Sequence, residues 1–337
     1  MIIVLKPNIS KKQEDAVLKE IKKLGYRPHI MRGVARVVIG AIGDERSHLS
    51  LETLTTWPQV ENVMPVQKRY KLVSREAHPT NSTVTTRGVV IGGKKFQVIA
   101  GPCSVENEKQ LMTAAHAVQK AGATLLRGGA FKPRTSPYEF QGLGEKGLKL
   151  LAKAREATGL PVVTELLSEQ HAEMVAHYAD VLQIGTRNAQ NFQLLIAAAR
   201  TGKPVLLKRG MAMRIEEWLL AGEYILANEN PNLMFCERGV RTFETFTRNM
   251  VDLSTIPIIK MESHCPIVID PSQGAGRSDL VTSLCKGAVA MGADALIIEV
   301  HPKPSEAWSD GAQQVTPEGF ARLMDEIAPF IAAAGRE

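Results

Sequence analysis

The chain has 337 residues, of which 44% are apolar and 23% charged, with a formal net charge of +6 and four cysteines. That supports one large domain plus a small one. No segment reaches the roughly 18 uncharged apolar residues of a membrane span. The cysteines, Cys103, Cys236, Cys265 and Cys285, have no CxxC spacing and are too few for a disulfide scaffold of this size, so a reduced cytoplasm is expected. The basic residues occur singly and form no long Lys/Arg block, which argues against nucleic acid and membrane surfaces and for anionic metabolites.

Residues 1–66 read as a compact βαββαβ unit, the ferredoxin-like order. Residues 2–5 form a short strand. Ser10 and Gln13 make a capping box ahead of a helix whose Val17, Ile21 and Leu24 share one face, and Gly25 ends it. Strands follow at 27–31 and 35–42 around Arg32-Gly33, then a weaker helix at 47–55 stopped by Trp57-Pro58, then a strand at 60–66. This unit shows no nucleophile, metal cluster or phosphate loop. Packing or oligomerisation and small-molecule sensing both remain open for it. Residues 67–87 are polar and read as a linker. Gly92-Gly93, between apolar runs at 89–91 and 94–98, signals a hairpin whose first strand covers the bottom of the domain that follows.

From residue 96 on there are eight candidate strands, at 96–100, 123–127, 161–165, 180–185, 204–208, 232–237, 266–270 and 295–300. Most are continuous apolar runs, the pattern of parallel strands buried on both faces. Helical periodicity is clear at 108–121, 145–158, 168–178, 189–201 and 214–227, and a last helix starts at Thr316-Pro317. The prediction for residues 88–337 is a (β/α)8 barrel of the TIM type; a doubly wound sheet is the alternative, and its dinucleotide-binding version lacks the GxGxxG it needs.

A barrel of this kind carries its chemistry at the C-terminal ends of its strands. Those ends read Cys103, Arg127, Glu165, Arg187, Lys208, Arg238, Asp270 and Glu299. Four cations on one face would repel one another without an anionic ligand, and guanidinium forks match phosphate and carboxylate. Lys132, Arg134 and Thr135 follow in a proline-stiffened Lys-Pro-Arg-Thr-Ser-Pro run. The face is therefore read as built for two anionic substrates, or one with two phosphates. Cys103, Glu299 and Asp310 form a donor set suited to a divalent transition metal.

These residues carry a family resemblance. Ala100-Gly-Pro-Cys-Ser-Val-Glu106, the segment from Leu126 through Lys132-Pro-Arg-Thr135 to Tyr138, Gln183-Ile-Gly-Thr-Arg-Asn-Ala-Gln-Asn191, Leu206-Leu-Lys-Arg-Gly210, Cys236-Glu-Arg-Gly239, Asp270-Pro-Ser272 and Ile298-Glu-Val-His-Pro302 resemble the type I 3-deoxy-D-arabino-heptulosonate 7-phosphate (DAHP) synthases, beta subclass, over nearly the whole chain. The sister 3-deoxy-D-manno-octulosonate 8-phosphate synthases usually carry an Asn-Arg-Ser type segment where Lys132-Pro-Arg-Thr135 stands. The resemblance implies condensation of phosphoenolpyruvate with erythrose 4-phosphate, opening the shikimate pathway. It implies that Arg127, Lys132, Arg187, Lys208 and Arg238 bind phosphoenolpyruvate, that Arg134 and Thr135 bind the aldose phosphate, that Lys132 donates a proton and that Glu165 orders water and arginines. It further implies a divalent metal, with Mn²⁺ expected, on Cys103, Glu299, Asp310 and the position of Gln273, where the family has His. His301 is a possible substitute ligand, though relatives carry it without using it so. A homotetramer and an aromatic amino acid effector near His29 also belong to the resemblance. The departure at Gln273 keeps two further readings open: a related enzyme that uses another aldehyde or no metal, and a catalytically impaired homologue.

Overall fold

The structure is a computed structural model and describes residues 1–33, 36–43, 50–64 and 68–337. The chain divides into two compact units, Met1–Arg69 and Tyr70–Glu337.

In the first unit, β1 (Ile2–Leu5), α1 (Lys11–Lys23), β2 (Arg27–Arg32), β3 (Val37–Ile42) and β4 (Val60–Met64) build a sheet in the order β2-β3-β1-β4, with antiparallel pairing between neighbours. This is the ferredoxin-like arrangement expected. The capping box is present: Gln13 N donates to Ser10 Oγ and Ser10 N to Gln13 Oε1. Val17 and Ile21 pack on Ile3, Leu5, Ile39 and Ala41. The expected helix at 47–55 is corrected where it can be seen. Residues 47–49 lie outside the described residues, and Leu51–Thr56 is a short 3-10 helix. Its buried residues, Leu51 and Leu54, stand three apart, a spacing that a 3-10 helix satisfies as well as an α-helix.

The second unit holds a two-stranded hairpin, β5 (Val84–Thr86) and β6 (Val89–Ile91), and a closed barrel of β7 (Gln97–Gly101), β8 (Leu125–Arg127), β9 (Val162–Glu165), β10 (Val181–Ile184), β11 (Val205–Lys208), β12 (Leu233–Glu237), β13 (Ile267–Ile269) and β14 (Ala295–Glu299). All eight barrel strands are parallel, and β14 pairs with β7 to close the ring, Glu299 opposite Gly101. The helices in chain order are α2 (Glu108–Lys120), α3 (Glu145–Thr158), α4 (Ala172–Tyr178), α5 (Phe192–Arg200), α6 (Ile215–Leu226), α7 (Thr255–Glu262), α8 (Pro271–Ala275), α9 (Ser278–Ala290) and α10 (Pro317–Ala333). Each strand is buried on both faces, which is why the strands read as unbroken apolar runs. One set of side chains, including Ile99, Leu125, Val163, Val181, Leu206, Met234, Val268 and Ile297, forms an inner core. The other set packs against the helices.

Two expectations change here. The hairpin turns at Arg87-Gly88, so β6 pairs with a strand ahead of it and not with one beyond Gly92-Gly93. Arg87 and Gly88 both have positive φ, as a two-residue hairpin turn with the right twist requires. Val84 and Ile91 join the inner core, and Arg87 Nε donates to Asp180 Oδ1 at 2.6 Å just ahead of β10, so the hairpin plugs the N-terminal end of the barrel. The linker expected over 67–87 does not extend past Arg69. Glu223 on α6 accepts from the backbone N–H groups of Lys71, Leu72 and Val73, and His264 Nε2 donates to Leu72 O, so this stretch is strapped to the barrel despite its polar composition. Among the described residues, no helix is long and apolar enough to cross a membrane.

Candidate active site

The C-terminal strand ends converge on a cavity of about 250 Å³ lined by sixteen residues, seven of them basic and three acidic. Arg127 at the end of β8, Lys132 in the following loop, Glu165 ending β9, Lys208 ending β11 and Arg238 after β12 all line it, with Arg134, Thr135 and Arg187 around the same space. Cys103 and Glu299 are fully buried behind this wall.

Local backbone explains how the groups reach the pocket. Gly101, ending β7, has φ +149, and a Cβ there would lie 2.2 Å from Arg127 O, so no side chain fits where β7 and β8 run together. At Gly185 a Cβ would lie 1.9 Å from Glu165 Oε1, so only glycine leaves room for that carboxyl.

The cations divide into neutralised and open ones. Lys208 is paired with Asp270 in the buried interior. Arg127 Nη2 meets Glu299 Oε1 at 3.1 Å. Half of the expected mutual repulsion is thus answered by carboxylates built into the wall, which corrects the reading that all four cations wait for a ligand. Arg187 is exposed and donates to Thr135 Oγ1 at 3.3 Å, and Arg134 holds Glu139 at 2.8 Å. What remains open is specific. Arg127 Nε and Nη1 and Arg238 Nη1 are buried donors with no partner. A buried unpaired donor costs about 1–3 kcal/mol, and three on two guanidinium groups at one cavity fit an anion.

Lys132 Nζ lies 3.0 Å from Cys103 Sγ and 3.2 Å from Cys103 O. Burial opposes its charge, but Cys103 (once ionised), Glu299 and Glu165 outweigh it and raise its pKa above the ordinary value, so it is an ammonium at neutral pH. Burial pushes the Cys103 thiol up to about 12, and its Sγ donates to Asp310 Oδ2 at 3.3 Å. Asp310 sits in the left-handed region at φ 47. Burial works against its charge, yet Arg248 and Lys132 hold it down at about 2. Burial raises the pKa of Glu165 in spite of the surrounding cations.

The metal positions of the resemblance do not assemble a coordination site. Glu299 Oε1 accepts from Arg127 and from Gln273 Nε2 at 2.9 Å, and Oε2 from Gln313 Nε2 at 2.7 Å. Gln273 Oε1 accepts from Arg238 Nη2 at 3.1 Å. Among the described residues, no group of three or more His, Cys, Asp or Glu side chains is arranged to hold a metal ion. His301 is not a substitute ligand: Nδ1 accepts from Lys303 N at 3.0 Å, and Nε2 faces Glu106 Oε2 at 3.3 Å. Glu106 Oε1 also accepts from Trp308 N, fixing the loop that carries Asp310. The donor set therefore does not fit the divalent metal.

Sequence reading missed Arg248, Gln183 and Gln313. Arg248 comes from a long aperiodic loop yet reaches Asp310 Oδ1 at 2.9 Å, and no local signal marks it. Gln183 Nε2 approaches Glu165 Oε2 at 3.5 Å and lies within a quoted motif, so it was available.

A closed parallel barrel with buried, unsatisfied guanidinium donors at its strand ends has the build of a (β/α)8 enzyme with an anion-binding pocket. Comparison with known proteins narrows this: the DAHP synthetase I family profile matches residues 73–332, the DAHP synthase ferredoxin-like domain matches residues 1–68, and the chain belongs to the DAHP synthetase I family. It is 49% identical to a Thermotoga maritima phospho-2-dehydro-3-deoxyheptonate aldolase over 99% of both chains. It is 33% identical to a Caulobacter vibrioides 2-dehydro-3-deoxyphosphooctonate aldolase, over 77% of this chain and 96% of that one. The crystal structure of the Thermotoga DAHP synthase superposes with a TM-score of 0.95 at 48% identity, covering 100% of this chain and 98% of that one. The family is generally metal-dependent.

Proposed function

We infer that this chain condenses phosphoenolpyruvate with erythrose 4-phosphate and water to give DAHP and inorganic phosphate, the first step of the shikimate pathway. The observation that carries the reading is the set of buried, unpartnered donors on Arg127 and Arg238. They suit the carboxylate and phosphate of phosphoenolpyruvate, with Lys132, Arg187 and Lys208 completing the ring of charge. Arg134 and Thr135 at the pocket rim suit the aldose phosphate.

Chemically, C3 of phosphoenolpyruvate bonds to the aldehyde carbon, and the carbonyl oxygen takes a proton from the Lys132 ammonium. Water adds to the electron-poor C2 and returns a proton to the Lys132 amine. The resulting hemiketal phosphate collapses to the ketone as the C2–O bond breaks, and phosphate leaves with the hydroxyl proton. Glu165 orders that water. The Mn²⁺ of the resemblance enters no step, because the donor set does not fit it. A homotetramer, a cytoplasmic location and an aromatic amino acid effector at the first unit belong to the same reading; His29, on β2, is exposed and open to a ligand.

The second reading is that a five-carbon aldose phosphate is used, since the octonate named for the Caulobacter relative is three carbons longer than a pentose. The test follows phosphate release from phosphoenolpyruvate with erythrose 4-phosphate and with arabinose 5-phosphate, each with and without tyrosine and phenylalanine. Faster turnover of the five-carbon sugar would overturn the substrate assignment, and indifference to both amino acids would overturn that effector role.

A further inference from the structure

Four side chains tie the pocket wall together: Arg127, Glu299, Gln273 and Arg238. Glu299 accepts from Arg127 and from the Gln273 amide nitrogen, and the Gln273 amide oxygen accepts from Arg238. The amide orientation follows from its neighbours. Turned over, its oxygen would face a carboxylate and its N–H groups a guanidinium, repulsive on both sides. Gln273 is therefore a neutral bridge between an anion and a cation, with its carbonyl oxygen committed to Arg238.

The other groups at the metal positions are committed as well. Three donors converge on the Glu299 carboxylate, Arg127 and Gln273 on one oxygen and Gln313 on the other. Asp310 accepts from Arg248 and from the Cys103 thiol. The Lys132 ammonium stands 3.0 Å from the Cys103 sulfur, so a dication on that sulfur would meet a cation at contact distance. The local charges are Arg127, Lys132 and Arg248 against Glu299 and Asp310. A dication would enter a pocket with more positive than negative groups and would have to displace arginines from both carboxylates.

We propose that this barrel works without a divalent cation, and that Gln273 is a positioning residue that fixes Arg238 and Arg127 relative to each other through Glu299, while the Lys132 ammonium meets the charge on the aldehyde oxygen. The inference rests on the condensation reading above. It also gives the unpartnered N–H groups of Arg127 and Arg238 a common frame. Both guanidinium groups hang from one hydrogen-bonded chain, so one short amide sets the spacing at which phosphoenolpyruvate is gripped.

The experiment compares the full chain with Gln273→His and Gln273→Asn. Metal content is measured after growth in Mn²⁺- and Zn²⁺-supplemented medium, Co²⁺ is titrated in while thiolate-to-cobalt absorption is followed, and phosphate release is timed with and without chelator. The wild type is expected to hold no stoichiometric metal, to show no thiolate–cobalt band and to keep its rate in chelator. Gln273→His removes the amide that ties Glu299 to Arg238 and offers an imidazole nitrogen in its place, so a thiolate–cobalt band is expected in this variant and not in the wild type. Gln273→Asn keeps the amide but is too short to bridge, so its KM for phosphoenolpyruvate should rise with no metal gained. Stoichiometric metal in the wild type, or a rate lost in chelator and restored by Mn²⁺, would overturn the proposal. A wild type that releases no phosphate under any condition would refute the condensation reading instead. The cobalt titration would then still decide the metal question, a band in the wild type overturning the proposal and its absence upholding the part of it that says these side chains hold no metal.

Discussion

Lys132 offers the sharpest test of the chemistry. Lys132→Met keeps most of the apolar stem and removes the ammonium. The structural loss is small, because Lys132 makes no salt bridge among the described residues and Cys103 O retains the N–H of Gly129 at 3.2 Å. A net hydrogen bond is worth about 1 kcal/mol, so the fold should survive with a melting temperature a few degrees lower. The chemical loss is large. A positioned proton donor contributes about 10²–10⁴-fold, which at 1.36 kcal/mol per tenfold is about 2.7–5.4 kcal/mol of barrier. The assay is phosphate release at saturating substrates, alongside thermal melting and circular dichroism. The charge sets the pH behaviour too. With its pKa raised above the ordinary 10.5, the ammonium is lost only as pH rises past that value, so Lys132 should impose no fall in rate near neutrality. A folded Lys132→Met protein with kcat within tenfold of wild type would refute the proton-donor role.

Two further outcomes are expected. Gly185→Ala should lower kcat on the order of 100-fold, the scale for a misplacement of about 1 Å, because the new Cβ would occupy the position of Glu165 Oε1; wild-type kcat would show that the Glu165 carboxyl is not needed there. In the first unit, Arg32 and then Lys11 hold the Glu14 carboxyl down at about 2 against an ordinary 4.5, so its contribution is complete above pH 4.5 and disappears as pH falls toward 2. Arg32 is half-exposed, which places Glu14→Gln near the lower end for charged hydrogen bonds, about 1–2 kcal/mol; hydrogen exchange of the α1 amides in the full chain at pH 7 should report that loss, and unchanged protection would refute it.

The barrel was legible because its strands must be apolar on both faces and still end in polar side chains. That double constraint leaves runs such as residues 204–208, ending in Lys208, which few other folds require. α9 carried a signal too, Val281, Cys285 and Ala288 on one face, but Arg277 ahead of it makes no side-chain cap that would mark its start. The hairpin was misplaced because Gly-Gly is a stronger textual signal than Arg-Gly. Arg87 adopts a positive φ that its side chain does not advertise, and its pairing with Asp180 accompanies it. The anion pocket could be anticipated as a sum of charges but not as a pattern of partners. Nothing local to Lys208 names Asp270, 62 residues away, and nothing near residue 248 marks its arginine as the partner of Asp310. The departure at Gln273 was visible as a letter; its effect was not, since the direction of an amide depends on what stands on either side of it.

The closure of β14 on β7 also bears on how the protein is made. Cys103 and Asp310, which share a hydrogen bond, are 207 residues apart, and the ring that joins them needs every intervening strand in register. A sheet in which β14 has not yet paired with β7 is an open ribbon with both of those edges unpaired. Such long-range pairing is slow, and open edges invite association between chains. In vitro, helical signal and burial should therefore return well before turnover, since the reactive groups meet only at the final strand. Chain concentration during that interval, more than the stability of the finished barrel, would then govern the yield of active protein.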